Sequence, residues 1–318
     1  MIERPPRGPY EEEELRHFYD KYGASPRALA NYTRAEKEYQ NQVIYQVGRV
    51  QPGSLRHALL SPDLDEISHL IAIIEPSPES RSGCQKRIAS RWIFEQLFDR
   101  YMKTVVPEMK YFHDVFRQNS TTAPAAGWLF ELRMHQVLRR PGYPLKLFPV
   151  RGHTGEANYI YDDYSASSAG HNPMTFQLTG SEEYFLRNDT DLEVGRYYRP
   201  EPLNFPSFDS LLVVKPQNES FHILLLIQMT ENKTKHDVKE RGFQVLEDLR
   251  LRVPTDTRSC YVVVTPRGTE PRITAPRSQF LNQRQEAGNG QGEGRMAETV
   301  SAVYHHPVDL EELFRPPQ

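Results

Sequence analysis

Two apolar runs joined by a short, mostly polar turn fix the centre of any fold this chain can adopt. Ser210–Val214 reads SLLVV and His222–Met229 reads HILLLIQM, with Lys215-Pro216-Gln217-Asn218-Glu219-Ser220 between them. A short polar turn between apolar runs is a hairpin signal. The longest apolar run, Ile223–Ile227, suits a buried strand and places the hairpin in mid-sheet. If the turn is centred between Asn218 and Glu219, Asp209 lies directly across from Gln228. Directly opposite residues share a face of the sheet. Thr230 joins them, because side chains alternate along a strand. Asp209, Gln228 and Thr230 therefore form one polar cluster at the end of an otherwise apolar hairpin. A slip of one residue would break the cluster apart.

The other elements follow from periodicity. Glu11–Tyr22 reads as a short amphipathic helix with an acidic first turn. Asp63–Ile74 is a second candidate helix, and the Pro/Ser-rich stretch Glu75–Gly83 reads as a linker. From Lys86 to Val105, Ile88, Trp92, Phe94, Leu97, Phe98 and Tyr101 recur at helical spacing. Further helices are expected at Tyr111–Phe116 and from about Ala125 to Arg139. On the latter, Glu131 and His135 share a stripe with Trp128 and Leu138. Strands are expected at Leu145–Val150, Asn158–Tyr161, Met174–Leu178, Glu183–Leu186, Tyr261–Val264 and Val300–Tyr304. Asp162–Asn172 reads as a loop. Helices are expected at His236–Leu251 and Asp309–Phe314, and a flexible insertion at about 267–295. These elements predict a mixed α/β fold. A weakly patterned helical region covers 1–80, and the main domain covers 84–318.

Charge is uneven. The formal net charge is −3, yet between Arg81 and Arg151 thirteen Lys and Arg face five Asp and Glu. A local basic surface can hold a phosphate backbone, with Arg87, Arg91, Arg139 and Arg140 as its candidate contacts. The plainer reading is the solvated faces of amphipathic helices. No apolar stretch is long enough to span a membrane. The first residues, MIERPPRGPYEEEE, lack the apolar core of a secretory signal. Two cysteines, Cys84 and Cys260, make neither a disulfide framework nor a cysteine-built zinc site. An intracellular protein, nuclear or cytoplasmic, is expected.

The order of elements is a helix with Glu131, strands, a strand entered by Asp209, a strand carrying Gln228-x-Thr230, a helix and a strand. It resembles the core of the PD-(D/E)xK, or restriction-endonuclease-like, superfamily. The phrases ASRWIFEQL (89–97), AGWLFELRMHQVL (126–138), YYRPEPLNFPSFDSLLV (197–213), LLLIQMTENKTKHDVKERGFQVL (224–246) and YVVVTP (261–266) narrow the likeness. They resemble the C-terminal nuclease-like domain of Crinkler effectors, shared with retrotransposon hot spot proteins. The resemblance implies a Mg²⁺-dependent nuclease acting on DNA. Glu131 would match the helix carboxylate, Asp209 the hairpin Asp, Gln228 the Glu of Glu-x-Lys, and Thr230 its Lys. Carboxylates would hold the ion, which lowers the pKa of bound water and neutralises phosphate charge. The chain departs from that pattern twice. Gln228 lends no charge and Thr230 supplies no cation, so Lys233, Lys235 or His236 would have to reach back. The alternative is a nuclease-fold effector without cleavage, which binds nucleic acid or a host protein.

Each feature also has a plainer reading. Asp209 caps a turn, Gln228 is an amide at the core edge, and Glu131 with His135 is an ordinary i,i+4 pair. Trp92, Trp128 and Phe130 read as core anchors. His305-His306 reads as a surface pair.

Overall fold

The computed structural model describes residues 11–23, 35–51, 53–55, 68–77, 80–102, 106–118, 122–155, 158–168, 172–180, 183–186, 191–200, 207–216, 219–233, 235–238, 251–276 and 302–315, with 29, 32, 120, 205 and 249. The chain divides into two compact units. One comprises residues 1–132 with 314–318, and the other residues 133–313. Among the described residues no helix is long and apolar enough to cross a membrane.

The first unit holds α1 (Glu12–Tyr22), α2 (Glu36–Arg49), the strands β1 (Ala72–Ser77) and β2 (Ser80–Ile88), α3 (Arg91–Met102), α4 (Val106–Gln118) and most of α5 (Ala123–Leu138). Helix α1 has acids at Glu12, Glu13 and Glu14 and a base at Lys21, which complements its dipole. It stops at Gly23, whose φ is +81°; a Cβ there would stand 2.2 Å from the Ala89 carbonyl oxygen. Helix α3 starts where Ser90 caps it. The Ser90 hydroxyl accepts the Ile93 N–H at 3.2 Å and donates to the Lys21 carbonyl at 2.6 Å. Phe94 and Phe98 stack at 4.3 Å on the buried side of α3. Phe130 is fully buried, as expected of a core anchor, whereas Trp92 and Trp128 are only half-buried, against Tyr22 and Phe94.

The expected linker is instead a pair of strands. β1 and β2 are antiparallel from Ala72↔Ile88 to Pro76↔Cys84, and the register shifts between Pro76 and Ser77. Proline is tolerated at such an irregularity, so a Pro/Ser-rich stretch can still pair. The expected helix from Lys86 accordingly begins only at Arg91. Of the candidate helix Asp63–Ile74, residues 63–67 lie outside the described residues and 72–74 are strand.

The second unit is built on an eight-stranded mixed sheet of order β6-β3-β14-β12-β10-β9-β8-β7. Its strands are β3 (Pro144–Pro149), β6 (Met174–Gln177), β7 (Glu183–Leu186), β8 (Tyr197–Pro200), β9 (Ser210–Val214), β10 (His222–Met229), β12 (Thr257–Pro266) and β14 (Ala302–Val308). A four-stranded sheet of order β11-β13-β5-β4 comprises β4 (Arg151–Thr154), β5 (Asn158–Asp163), β11 (Lys235–Asp237) and β13 (Arg272–Pro276). Two short helices, α6 (Ser165–Ser168) and α7 (Leu310–Leu313), complete the described elements. The fold is mixed α/β, as the order of elements predicts.

The hairpin adopts the expected register. β9 and β10 pair Val214 with Ile223 and Ser210 with Ile227, and β10 also runs parallel to β12. The shared core draws Leu211 and Val213 from β9, Leu224 and Leu226 from β10, and Tyr161, Ile273 and Ala275 from the smaller sheet. Thus Arg272–Pro276, expected in a flexible insertion, is a core strand; residues 277–301 lie outside the described residues. Of the expected helix His236–Leu251, the opening residues pair as strand β11. Residues 239–248 lie outside the described residues. The loop expected at 162–172 contains α6.

His305 and His306 are buried, not a surface pair, at 2% and 3% exposure. Each has polar partners that make burial tolerable. The His306 Nδ1–H faces the Lys146 carbonyl at 2.9 Å, so its bare Nε2 accepts from the Tyr143 hydroxyl at 2.8 Å. His305 contacts the Thr265 and Ser167 hydroxyls at 2.8 and 3.1 Å.

Candidate functional site

Asp209 enters the sheet from Ser207, whose φ of +79° is the one positive value at a described non-glycine residue. The kink turns Phe208 into the core at 1% exposure. The Tyr261 hydroxyl from β12 holds the kink by donating to the Ser207 carbonyl at 2.7 Å. Burial, with the Asp209 charge adding to it, pushes the Tyr261 phenol well above its ordinary pKa, so it stays a donor. Sequence reasoning marked Ser207 only as part of the Phe-Pro-Ser-x-Asp strand entry and did not single out Tyr261. Serine has no marked preference for positive φ, and Tyr261 lies in a run that reads only as apolar.

The Asp209 N–H donates to the Ile227 carbonyl at 2.8 Å, extending the hairpin ladder by one step. Its Oδ2 accepts two hydrogen bonds, from Gln228 Nε2 and from the Met229 N–H, both at 2.7 Å. Asp209 and Gln228 are thus joined across the hairpin end, both half-buried. Chemistry fixes the orientation of the amide. Its carbonyl oxygen against a carboxylate would be repulsive, so the NH₂ faces Asp209 and Oε1 faces away.

Thr230 extends the run at the same end. Its N–H donates to the Val264 carbonyl at 2.9 Å, and its hydroxyl accepts the Asn232 N–H at 3.0 Å. That hydroxyl folds the chain away from the strand, a local turn role typical of threonine. Lys233 is exposed on the bend that follows. Lys235 pairs with Arg272 through the β11–β13 ladder, and the side chains of Lys235 and His236 lie outside the described ones.

Glu131 falls in the first unit. Its Oε1 receives a very short charged hydrogen bond from the Arg91 guanidinium, which also contacts Glu95 at 3.3 Å. The three side chains are between 9% and 15% exposed. His135 falls in the second unit, buried, with Nδ1 at 2.5 Å from the Tyr197 hydroxyl.

The donors at the hairpin end do not fit Mg²⁺. A hard divalent ion takes about six oxygen ligands, preferably charged. Here Asp209 Oδ2 already has two donors and Gln228 presents its NH₂; Glu131, in the first unit, is paired with Arg91. Among the described residues no group of three or more His, Cys, Asp or Glu converges. The arrangement is a clasp that ties β9 to β10.

The basic residues between 81 and 151 are partly consumed within the chain. Arg87 pairs with Glu75 at 2.7 Å, and Arg91 with Glu95 and Glu131. Arg133 is buried and donates to the Leu313 carbonyl at 2.8 Å; burial lowers its pKa to about 10. Lys110 pairs with Asp114 at 3.0 Å. Arg139 and Arg140 are half-buried just past α5, and Arg117, Lys146 and Arg151 are exposed. Arg87 and Arg91 lie in the first unit and Arg139 and Arg140 in the second.

No family model, curated protein or solved structure matches this chain.

Proposed function

We propose that this chain is a nuclease-fold protein that binds nucleic acid without cutting it, similar to the nuclease-like domain of Crinkler and retrotransposon hot spot proteins. The reading rests first on the hairpin, whose register puts Asp209 opposite Gln228 where the superfamily carries its acidic pair. One observation favours binding over cleavage: Asp209 Oδ2 accepts hydrogen bonds from the Gln228 amide and the Met229 N–H. A metal-dependent nuclease would commit that carboxylate to its ion. Phosphate contacts would come from exposed cations of the second unit such as Lys146 and Arg151. Two cysteines without a disulfide suit a reducing compartment, nucleus or cytoplasm.

The test is incubation of supercoiled plasmid with the full chain and Mg²⁺ or Mn²⁺, with EDTA as control. A mobility-shift series at rising salt runs beside it. The expected result is no metal-dependent nicking and a shift that fades with salt. Metal-dependent nicking lost in Asp209→Ala would establish the Mg²⁺ nuclease instead. Absence of any shift, with capture of a protein partner, would move the reading to a host-protein module.

A further inference from the structure

We infer that a cavity on the other face of β9 is a binding site for a small aryl or branched-alkyl carboxylate. The cavity has a volume of about 170 Å³ and lies wholly within the second unit. Leu212 and Val214 line it. Along β9 they alternate with Leu211 and Val213, which point into the core beside the Asp209 side. The site is therefore separate from the hairpin clasp and does not depend on the nuclease-fold reading.

The sheet builds this cavity by curling. Phe176 of β6 lines the same space as Leu212 of β9, although four strands lie between β6 and β9 in the sheet order. Two turns close the gap. Gly180 and Gly195 have φ of +78° and +82°, and a Cβ on Gly195 would stand 3.3 Å from the Thr179 hydroxyl. The Gly195 N–H donates to the Val213 carbonyl at 2.7 Å, which fixes the second turn against β9.

The walls decide the class of ligand. Leu138, Phe176, Leu178, Leu212 and Val214 are apolar, with Gln177 and Thr179 as neutral polar neighbours, and an apolar-walled space of about 150 Å³ is large enough for a benzene ring. Val194 stands at the cavity with 47% exposure, a large apolar side chain left open to solvent. The one charged lining residue is Lys215, which is exposed. No described carboxylate lies within ion-pair distance of it. Asp256, which feels the Lys215 charge, is bonded to His222. An apolar pocket with a single cation at its lip matches an apolar body carrying one carboxylate.

Fluorine NMR of the full chain tests this with three probes: para-fluorophenylacetate, para-fluorotoluene and para-fluorobenzylamine. The acid should bind saturably and more tightly than the amine. Lys215→Gln should weaken the acid about two- to fivefold, as expected of an exposed ion pair, and leave the toluene unchanged. Unchanged toluene binding also shows that the variant is folded. Val194→Trp, placed at an exposed position, should block acid and toluene alike. Three results would overturn the assignment: no saturable binding of the acid, equal binding of the amine, or acid binding insensitive to both substitutions.

Discussion

Gln228 Nε2 stands 2.7 Å from Asp209 Oδ2, so the amide on one strand of the hairpin donates to the carboxylate at the entry of the other. Gln228→Glu would turn this attraction into two facing carboxylates. It should lower the melting temperature at neutral pH, by about 1–3 kcal/mol of lost stability. Millimolar Mg²⁺ should restore much of the loss, because the ion then has two charged ligands. Calorimetry with and without Mg²⁺ reads both effects, and a wild-type melting temperature indifferent to Mg²⁺ is the expected control.

Asp209→Ala removes the acceptor of both the Gln228 amide and the Met229 N–H. A structural clasp predicts destabilisation of about 1–3 kcal/mol, from leaving half-buried donors unpaired. A metal site predicts the opposite sign, since removing a repelled carboxylate from an apo site relieves strain. Urea denaturation of the two proteins without metal distinguishes them.

Arg91→Ala should be a costly change in the first unit. It removes the guanidinium that Glu95 and Glu131 share in a little-exposed setting, a loss of about 3–5 kcal/mol. Arg91→Met with Glu131→Leu and Glu95→Gln should recover most of that loss. Denaturation midpoints of the single and triple variants check it.

Burial holds His305 and His306 neutral, each lowered from 6.5 to about 4. The unfolded chain takes up protons near pH 6.5, whereas the folded chain resists until near pH 4. Stability is therefore full above pH 6.5 and falls as pH drops towards 4, by about 3 kcal/mol per imidazole. Urea midpoints at pH 7 and pH 5 should show the fall. His306→Phe, which keeps the ring, should flatten its slope.

The hairpin register was legible because both strands are apolar at nearly every position, and centring the turn between Asn218 and Glu219 sets Asp209 opposite Gln228, the polar residues that end the two apolar runs. The same regularity placed β5, β6 and β7 within a few residues. What escaped depends on contacts distant in sequence. Arg91 and Glu131 are on different helices, and no local pattern marks them as partners. The β1–β2 strands are rich in Ser and Pro, so their composition argues against what their pairing achieves. His305 and His306 look polar in the sequence, and only the Tyr143, Lys146, Thr265 and Ser167 groups brought to them by the fold make their burial affordable. Glycine-lined curling, which shapes the cavity beside β9, has no sequence signature of its own.

The parallel pairing of β10 with β12, and of β12 with β14, sets the order in which the sheet can be finished. The β9–β10 hairpin closes across a short turn. Strand β10 must then wait for residue 257 and β12 for residue 302 before their remaining edges are covered. At a synthesis rate of about 5–20 residues per second, a ribosome leaves the apolar β12 edge open for several seconds. During that time the nascent chain carries an open apolar strand edge, which β14 covers when it emerges.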